Sequence, residues 1–447
     1  MAREYKDSGI YNEAIPLTWN VRKFGGLCSV VTDFVASGSF ADLRANVHYL
    51  DSPDYAMLVR TTDLAKSNRS EKRVYISKES YDYLSNSNLF GGEIVLPNIG
   101  SIGDVYIVPS DLYSRMSLAP NAIMFKTNEC DKYFYYYFQS KVGGVQLDEI
   151  SQSTAMAKFN KTDLRQLRVL CPPYSEQQKI ADYLDKVCGE VDEMVALQET
   201  MIEELKVYKQ SVITEAVTKG LNPNVPMRES GIDWIGDIPE HWEVKKLKYI
   251  IDYIESGTSV NAGNVPAQTN EFGVLKTSAV SKYVFDATEN KTVVSEEMDK
   301  VSCPVRKNTI IVSRMNTPEL VGACGYVEND YNNIFLPDRL WQVHFVDTVY
   351  VKYIWYALRG SNIRNYYSSL SVGSSSSMQN ISQSQFSNGS IPIPCDVDEQ
   401  RAIVSYLDTK CSEIDSLIAL KQAKIEELKE YKKSVIYEYV TGKKEVM

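Results

Sequence analysis

The sequence predicts an α+β protein: a tandem duplication in which an α/β domain is followed by a long helix. The two helices are expected to pair as an antiparallel coiled coil with pseudo-twofold symmetry. Three observations predict this. The stretch from Glu176 to Thr218 returns as Glu399 to Thr441 at a constant offset of 223, with more than half its positions identical. The segments that open each half repeat at the same offset. Between these anchors lie short β-branched and aromatic runs punctuated by Gly, Pro, Asn and Ser. A fixed period of this length marks repeated structural units.

The chain has 447 residues, too many for one ordinary core. The repeat divides it at 1–174, a first domain; 175–220, a first long helix; 221–397, a second domain; and 398–447, a second long helix. The first half opens with YKDSGIYNEAIPLTWNVRKF. Its Ile15, Pro16, Trp19, Val21 and Lys23 return as Ile238, Pro239, Trp242, Val244 and Lys246. Strands are expected at 56–59, 93–96, 105–108 and 122–125, with second-half counterparts at 309–312 and 340–343. The aromatic runs 131–140 and 350–358 are read as helices. The Gly/Ser run 373–377 is read as a loop, and 221–226, with Pro223 and Pro226, as the linker between halves.

The repeated stretch reads as a helix because it lacks Pro and spaces its apolar residues by alternating threes and fours. In the first copy the expected seam runs through Ile180, Leu184, Val187, Val191, Met194, Met201, Leu205, Tyr208 and Val212, with Val195 and Ile202 beside it. In the second, Ile403, Leu407, Ile414, Leu417, Leu428 and Tyr431 hold it, with Lys410, Lys421 and Lys424 as interruptions. Ser175 and Asp398 are the expected caps, and Lys219-Gly220 and Gly442 the stops.

The interiors of the two halves slip to offsets of 216 and 220 and lose most of their likeness. Frames alike with interiors different suggest two modules doing the same kind of job on different targets. Basic residues with Ser, Thr and Asn are the chemistry that phosphate and base-edge contacts need. Arg60, Lys66, Arg69, Lys72 and Arg73 lie in such a segment. Lys276, Lys282 and Arg314 are the second-half candidates, among the more dispersed Lys291, Arg306 and Lys307. A solvated surface is the plain reading of such charges. The net charge of −10 argues against a free-standing nucleic-acid binder unless a partner shares the grip.

Other chemistries find little support. Three separated histidines indicate no zinc site, and no phosphate-binding loop motif is present. Pro172-Pro173-Tyr174 superficially matches the base-positioning motif of amino-methyltransferases, but Cys171 stands in place of the polar residue and no cofactor turn accompanies it. It reads as the lead-in to the helix. No apolar run reaches the length of a membrane span, and the first residues lack the apolar core of a signal peptide. The eight scattered cysteines fit reduced thiols in the cytoplasm.

The combination of these parts resembles the specificity (S) subunit of type I restriction–modification enzymes. The resemblance rests on Ser230-Gly231-Ile232-Asp233-Trp234-Ile235-Gly236 with Ile238-Pro239 and Trp242. It rests also on the Pro-rich lead-ins before Glu176-Gln177 and Glu399-Gln400, and on the shared Tyr-Leu-Asp and Ile-Glu-Glu-Leu-Lys. Asp7-Ser8-Gly9-Ile10 lacks the Trp and Gly that follow in the second half, so the exact start of the first domain stays open. The resemblance implies two target-recognition domains, each reading half of an asymmetric split site in double-stranded DNA. The helices are then spacers and a docking surface. It implies no catalytic centre or cofactor in this chain. Two modification (M) subunits would bring S-adenosylmethionine for adenine methylation, and restriction (R) subunits would bring ATP and Mg. The alternative is a coiled-coil scaffold with two ligand-binding modules that bind no DNA. A self-contained methyltransferase is disfavoured by the missing cofactor turn.

Overall fold

The computed structural model describes residues 3–65, 72–151, 157–375 and 378–446. The chain forms two compact units, Met1–Glu199 with Ala423–Met447, and Thr200–Gln422. Each long helix therefore contributes one part of its length to each unit.

The first unit is built on a four-stranded antiparallel sheet in the order Tyr106–Ile107, Ile94–Pro97, Ala122–Thr127, Cys28–Asp33. A second sheet runs Tyr49–Leu50, Tyr75–Ile76, Ala56–Val59, Met116–Leu118, Asn88–Leu89. Ala56–Val59 and Met116–Leu118 pair in parallel. Every residue of Ala56–Val59 is buried, which is why this strand reads as an unbroken apolar run. The helix Asp131–Gln139 buries Tyr133, Phe134, Tyr136, Tyr137 and Phe138. Phe24 sits among these rings, edge-on to Phe125 at 4.9 Å and to Phe138 at 5.1 Å.

The second unit repeats this plan. Its main sheet runs Ile251–Ser256, Leu340–Phe345, Thr309–Ser313, Cys324–Val327. Its second sheet pairs Gly273–Leu275 in parallel with Tyr331–Phe335. The helix Val351–Arg359 takes the place of Asp131–Gln139. A three-stranded sheet of Met315–Asn316, Met378–Asn380 and Val372–Ser375 corrects the sequence expectation of a loop at 373–377. Residues 376 and 377 lie outside the described residues. Val372–Ser375 pairs through its backbone, which needs no apolar signature in the side chains.

Each unit is closed by its own ends. Asn20–Lys23 pairs antiparallel with Arg168–Cys171, and Trp242–Lys246 with Ser390–Pro394. The repeated opening segment and the Pro-rich lead-in are thus two strands of one ladder.

The long helices span Tyr174–Lys219 and Val397–Val440. Both are followed by a glycine at φ +73°, Gly220 and Gly442, a conformation that ends a helix at no steric cost to Gly. The starts differ from expectation. Ser175 lies within the first turn, and Asp396, not Asp398, accepts a hydrogen bond from the backbone N–H two residues on (2.9 Å). In the first unit the helices pair antiparallel: Tyr183 meets Tyr439 at 4.4 Å and Lys432 binds Asp192 at 2.6 Å. In the second unit Lys209 binds Asp415 at 2.6 Å, the same ion pair with the helices exchanged. Val212 and Ile213 there join Ile403, Leu407 and Cys411 in one core.

The seam is shifted in one of its two columns. Leu184, Val191 and Val212, with Leu407, Ile414 and Leu428, are buried as expected of the first column, and Leu205 is half-buried. Ile180 and Ile403 are also buried. The second column is Cys188, Val195, Ile202 and Lys209, with Cys411, Ile418, Ile425 and Lys432. Tyr208 and Tyr431 are 57% and 52% exposed, which corrects their expected place in the seam. Met194 and Leu417 are exposed as well. A column one residue over presents almost the same periodicity, and the ion-paired Lys209 and Lys432 hide the true one. Lys410 and Lys424 pair with Glu413 and Glu427 on their own helix, away from the seam.

Candidate nucleic-acid interface

The long helices hold their domains through a set of tethers that occurs twice. Trp19 is fully buried and donates its indole N–H to Glu176 at 3.0 Å; Trp242 donates to Glu399 at 3.0 Å. Each indole meets a tyrosine edge-on at 6.5 Å, Tyr133 in one unit and Tyr353 in the other. Those hydroxyls donate to helix-end carbonyls, Tyr133 to Val440 and Tyr353 to Val217. The Gln177 amide accepts from the Cys130 N–H at 3.1 Å and donates to the Pro172 carbonyl at 2.9 Å. Gln400 does the same with Tyr350 and Pro394 at 2.8 and 2.9 Å. Asp185 accepts from the Tyr136 hydroxyl at 2.7 Å and pairs with Lys132; Asp408 accepts from Tyr356 at 2.7 Å and pairs with Lys352. Burial and these bonds push the Tyr136 and Tyr356 hydroxyls well above the ordinary tyrosine range.

The repeated Glu-Gln and Tyr-Leu-Asp letters are therefore contact residues. Read as helix-start and seam signals, they gave no hint of their partners. The available signal was the shared spacing of 157 between Trp19 and Glu176 and between Trp242 and Glu399.

The basic candidates divide. Arg60 precedes the short helix Thr61–Leu64 and grips Asp63 with two bonds, 2.9 and 2.8 Å, while also donating to the Lys72 carbonyl at 2.6 Å. The Asp63 hydrogen bond raises its already high pKa. Lys276 holds the matching position before the turn Thr277–Val280 and pairs with Glu289 at 3.3 Å. Both therefore act first as internal braces, and a base edge would have to compete with a carboxylate. Lys66 and Arg69 lie outside the described residues. Lys72 and Lys282 are exposed, and Arg73 is half-buried. Arg314 follows the central strand Thr309–Ser313 with its guanidinium 5.9 Å from the Trp341 ring centre. Among the described candidates of the first unit, the Arg60–Lys72 hydrogen bond brings Arg60 beside Lys72 and Arg73.

Among the described residues, no group of three His, Cys, Asp or Glu is placed to hold a metal, and no helix is long and apolar enough to cross a membrane.

Known proteins share this organisation. The profile of the type I restriction modification DNA specificity domain matches twice, at residues 16–207 and 239–430. The putative type I restriction enzyme MjaX specificity subunit of Methanocaldococcus jannaschii is 23% identical over 96% of this chain and 94% of its own. The MjaVIII specificity subunit of the same organism is 25% identical over 69% of each chain. The EcoKI specificity subunit of Escherichia coli K12 is 23% identical over 70% of this chain and 72% of its own. Among solved structures, a chain from a study of complex assembly and conformational transition of the type I R-M system superposes with a TM-score of 0.66, at 15% identity, over 96% of this chain and 99% of that one. The HsdS subunit of Thermoanaerobacter tengcongensis superposes at 0.50, also at 15% identity, over 96% and 98%. The two profile matches run from the strand before each buried tryptophan to well inside each long helix, so they cover the Trp–Glu, Gln and Tyr–Asp tethers as well as the domains between them, and the chain belongs to the type I restriction modification DNA specificity family.

Proposed function

We propose that this chain is the DNA-recognition subunit of a type I restriction–modification complex and has no catalytic role of its own. The observation that carries this reading is the doubled frame around unlike interiors. The Trp–Glu, Tyr–Asp and Gln tethers recur bond for bond, while the domains they hold differ in sequence and in the elements between their sheet strands. Such a chain presents two different reading surfaces from one kind of mount. Each target-recognition domain, 1–174 and 221–397, reads one half of an asymmetric bipartite site in double-stranded DNA. The helices 175–220 and 398–447 space the halves and dock two modification subunits, which carry S-adenosylmethionine and methylate adenine. Restriction subunits with ATP and Mg complete a cleaving assembly. The net charge of −10 fits a division of labour in which the modification subunits neutralise much of the DNA phosphate. The setting is the cytoplasm.

The test is duplex binding by the chain with its modification partner across a salt series, followed by sequencing of methylated bases in a host carrying both. The expected result is steeply salt-dependent binding and one bipartite methylated motif. Binding that ignores DNA, with capture of some other ligand by the two domains, would favour the scaffold alternative.

A further inference from the structure

One end of each main sheet is tied to a long helix. The strand Ala122–Thr127 leads to Cys130, whose N–H binds Gln177; the strand Leu340–Phe345 leads to Tyr350, whose N–H binds Gln400. Among the described residues, the other end of each sheet makes no hydrogen bond to a long helix and forms a rim. At that rim two positions meet in each unit. In the first, the Asn98 N–H donates to the Asn121 carbonyl at 3.1 Å, and the Asn98 carbonyl accepts from Phe159 at 3.2 Å. In the second, the Arg314 N–H donates to the Arg339 carbonyl at 3.1 Å, and the Arg314 carbonyl accepts from Ile381 at 3.0 Å. The strand registers agree: Pro97 pairs with Ala122, and Ser313 with Leu340. One backbone site thus carries two asparagines in one domain and two arginines in the other.

The side chains are also left incomplete in a similar way. The Asn98 amide donates to the Phe159 carbonyl at 3.0 Å, but its Oδ1 is buried without a partner, and so is the Nε of Arg314. A buried polar atom without a partner is retained at a cost in stability. Asn121 and Arg339 beside them are exposed. In the first unit the rim borders a groove of about 100 Å³ lined by Asp33, Phe34, Asn98, Pro120 and Asn121, and Lys161 neutralises Asp33 at 2.7 Å. Phe34 and Pro120 also line a wider groove with the exposed Arg44 and His48.

We infer that these rim positions read bases: Asn121, whose carbonyl is held by the Asn98 N–H, selects adenine in one half-site, and Arg339 with Arg314 selects guanine in the other. The inference rests on the DNA-recognition reading above. Its chemistry is the fit of a carboxamide to the N6/N7 edge of adenine and of a guanidinium to the O6/N7 edge of guanine in the major groove. The arginines here differ from Arg60 and Lys276, which are held by carboxylates.

The experiment maps methylated bases in a host carrying the full chain with its modification subunit, for wild type, Arg314→Gln, Arg339→Gln and Asn121→Gly. Either arginine variant is expected to relax a guanine position in one half-site, with discrimination falling roughly ten- to a hundredfold and the other half-site unchanged. Asn121→Gly, which suits the local φ of +70°, is expected to relax an adenine in the other half. Arg339 and Asn121 are exposed, so these variants decide the matter even if Arg314→Gln does not assemble. An unchanged motif in an active complex overturns the inference. So does a uniform loss over all sequences with a shallower salt dependence, which marks a phosphate contact. A wild-type complex that methylates no defined sequence removes the DNA-recognition reading itself.

Discussion

Trp19 and Trp242 show how a single side chain couples a domain to its helix. Each fills a buried site, and each directs its only polar atom to a helix carboxylate. Replacing either by Ala should lower the stability of its own unit by about 3–5 kcal/mol. Amide hydrogen exchange, read separately over the two units, would show whether the loss stays local. Gln177→Leu should leave the Cys130 N–H and the Pro172 carbonyl without partners, at about 1–3 kcal/mol for each unpaired group. Gln400→Leu should match it within experimental error, which paired chemical melts would check. Among the eight cysteines only Cys395 is exposed, while burial pushes the Cys188 thiol up to about 11. A maleimide titration of native protein should therefore label Cys395 first, and Cys188 only on unfolding. At this scale the sequence revealed residue types but not partners. Arg60 was legible as a basic residue in a polar segment, yet its occupation by Asp63 was not, because the helix turn that joins them is only four residues long. Asn98 gave no signal at all, since an uncharged residue after a strand looks like any loop residue until its twin, Arg314, is known.

The long helices were the most legible elements, because a seven-residue repeat with no Pro admits few alternatives. What periodicity left open was which side of the stripe is buried. Val195 and Ile202 stood beside the expected seam, and the structure puts them in it. Ile202→Asp should consequently cost several kcal/mol by burying a charge, whereas Met194→Asp, at a half-exposed position, should stay within about 0.5 kcal/mol in the free chain. Thermal melts of the two variants would separate these columns. If Met194→Asp melts normally yet fails to bind the modification subunit, the exposed residues Met194, Leu197, Leu417 and Leu420 belong to the docking surface. The spacer role has its own test. One heptad inserted after Gln198 and another after Lys421 keep the seam in register and lengthen both helices by about 10 Å, with a net rotation of only about 20°. At 3.4 Å per base pair, the unspecified gap in the methylated motif should grow by about three base pairs. An unchanged gap would mean that the helices do not set it.

Across the whole molecule, the duplication was plain in the sequence while the equivalence of the interiors was not. Offsets that slide between 216 and 220 hide the fact that both main sheets have one strand order. Because the tethers recur, the interior of one unit should fit the mount of the other. Grafting residues 247–389 in place of 24–167 should give a folded chain whose methylated motif has the same half-site twice, once on each strand. Two unlike half-sites in that motif would contradict modular reading. The first unit also brings together parts far apart in sequence. The Tyr5 hydroxyl donates to the Gly442 carbonyl at 3.1 Å, and Lys443 pairs with Glu13 at 3.0 Å. The opening segment of the first unit thus meets the end of the second long helix, much as Gly220 leads through a short linker into Met227–Glu229. At each of these two joints the end of a long helix is followed or met by the opening segment of a domain. A short bridge from the last residue to the first, with new ends opened within the exposed run 221–226, should yield a circular permutant that folds, melts and directs methylation as the original chain does.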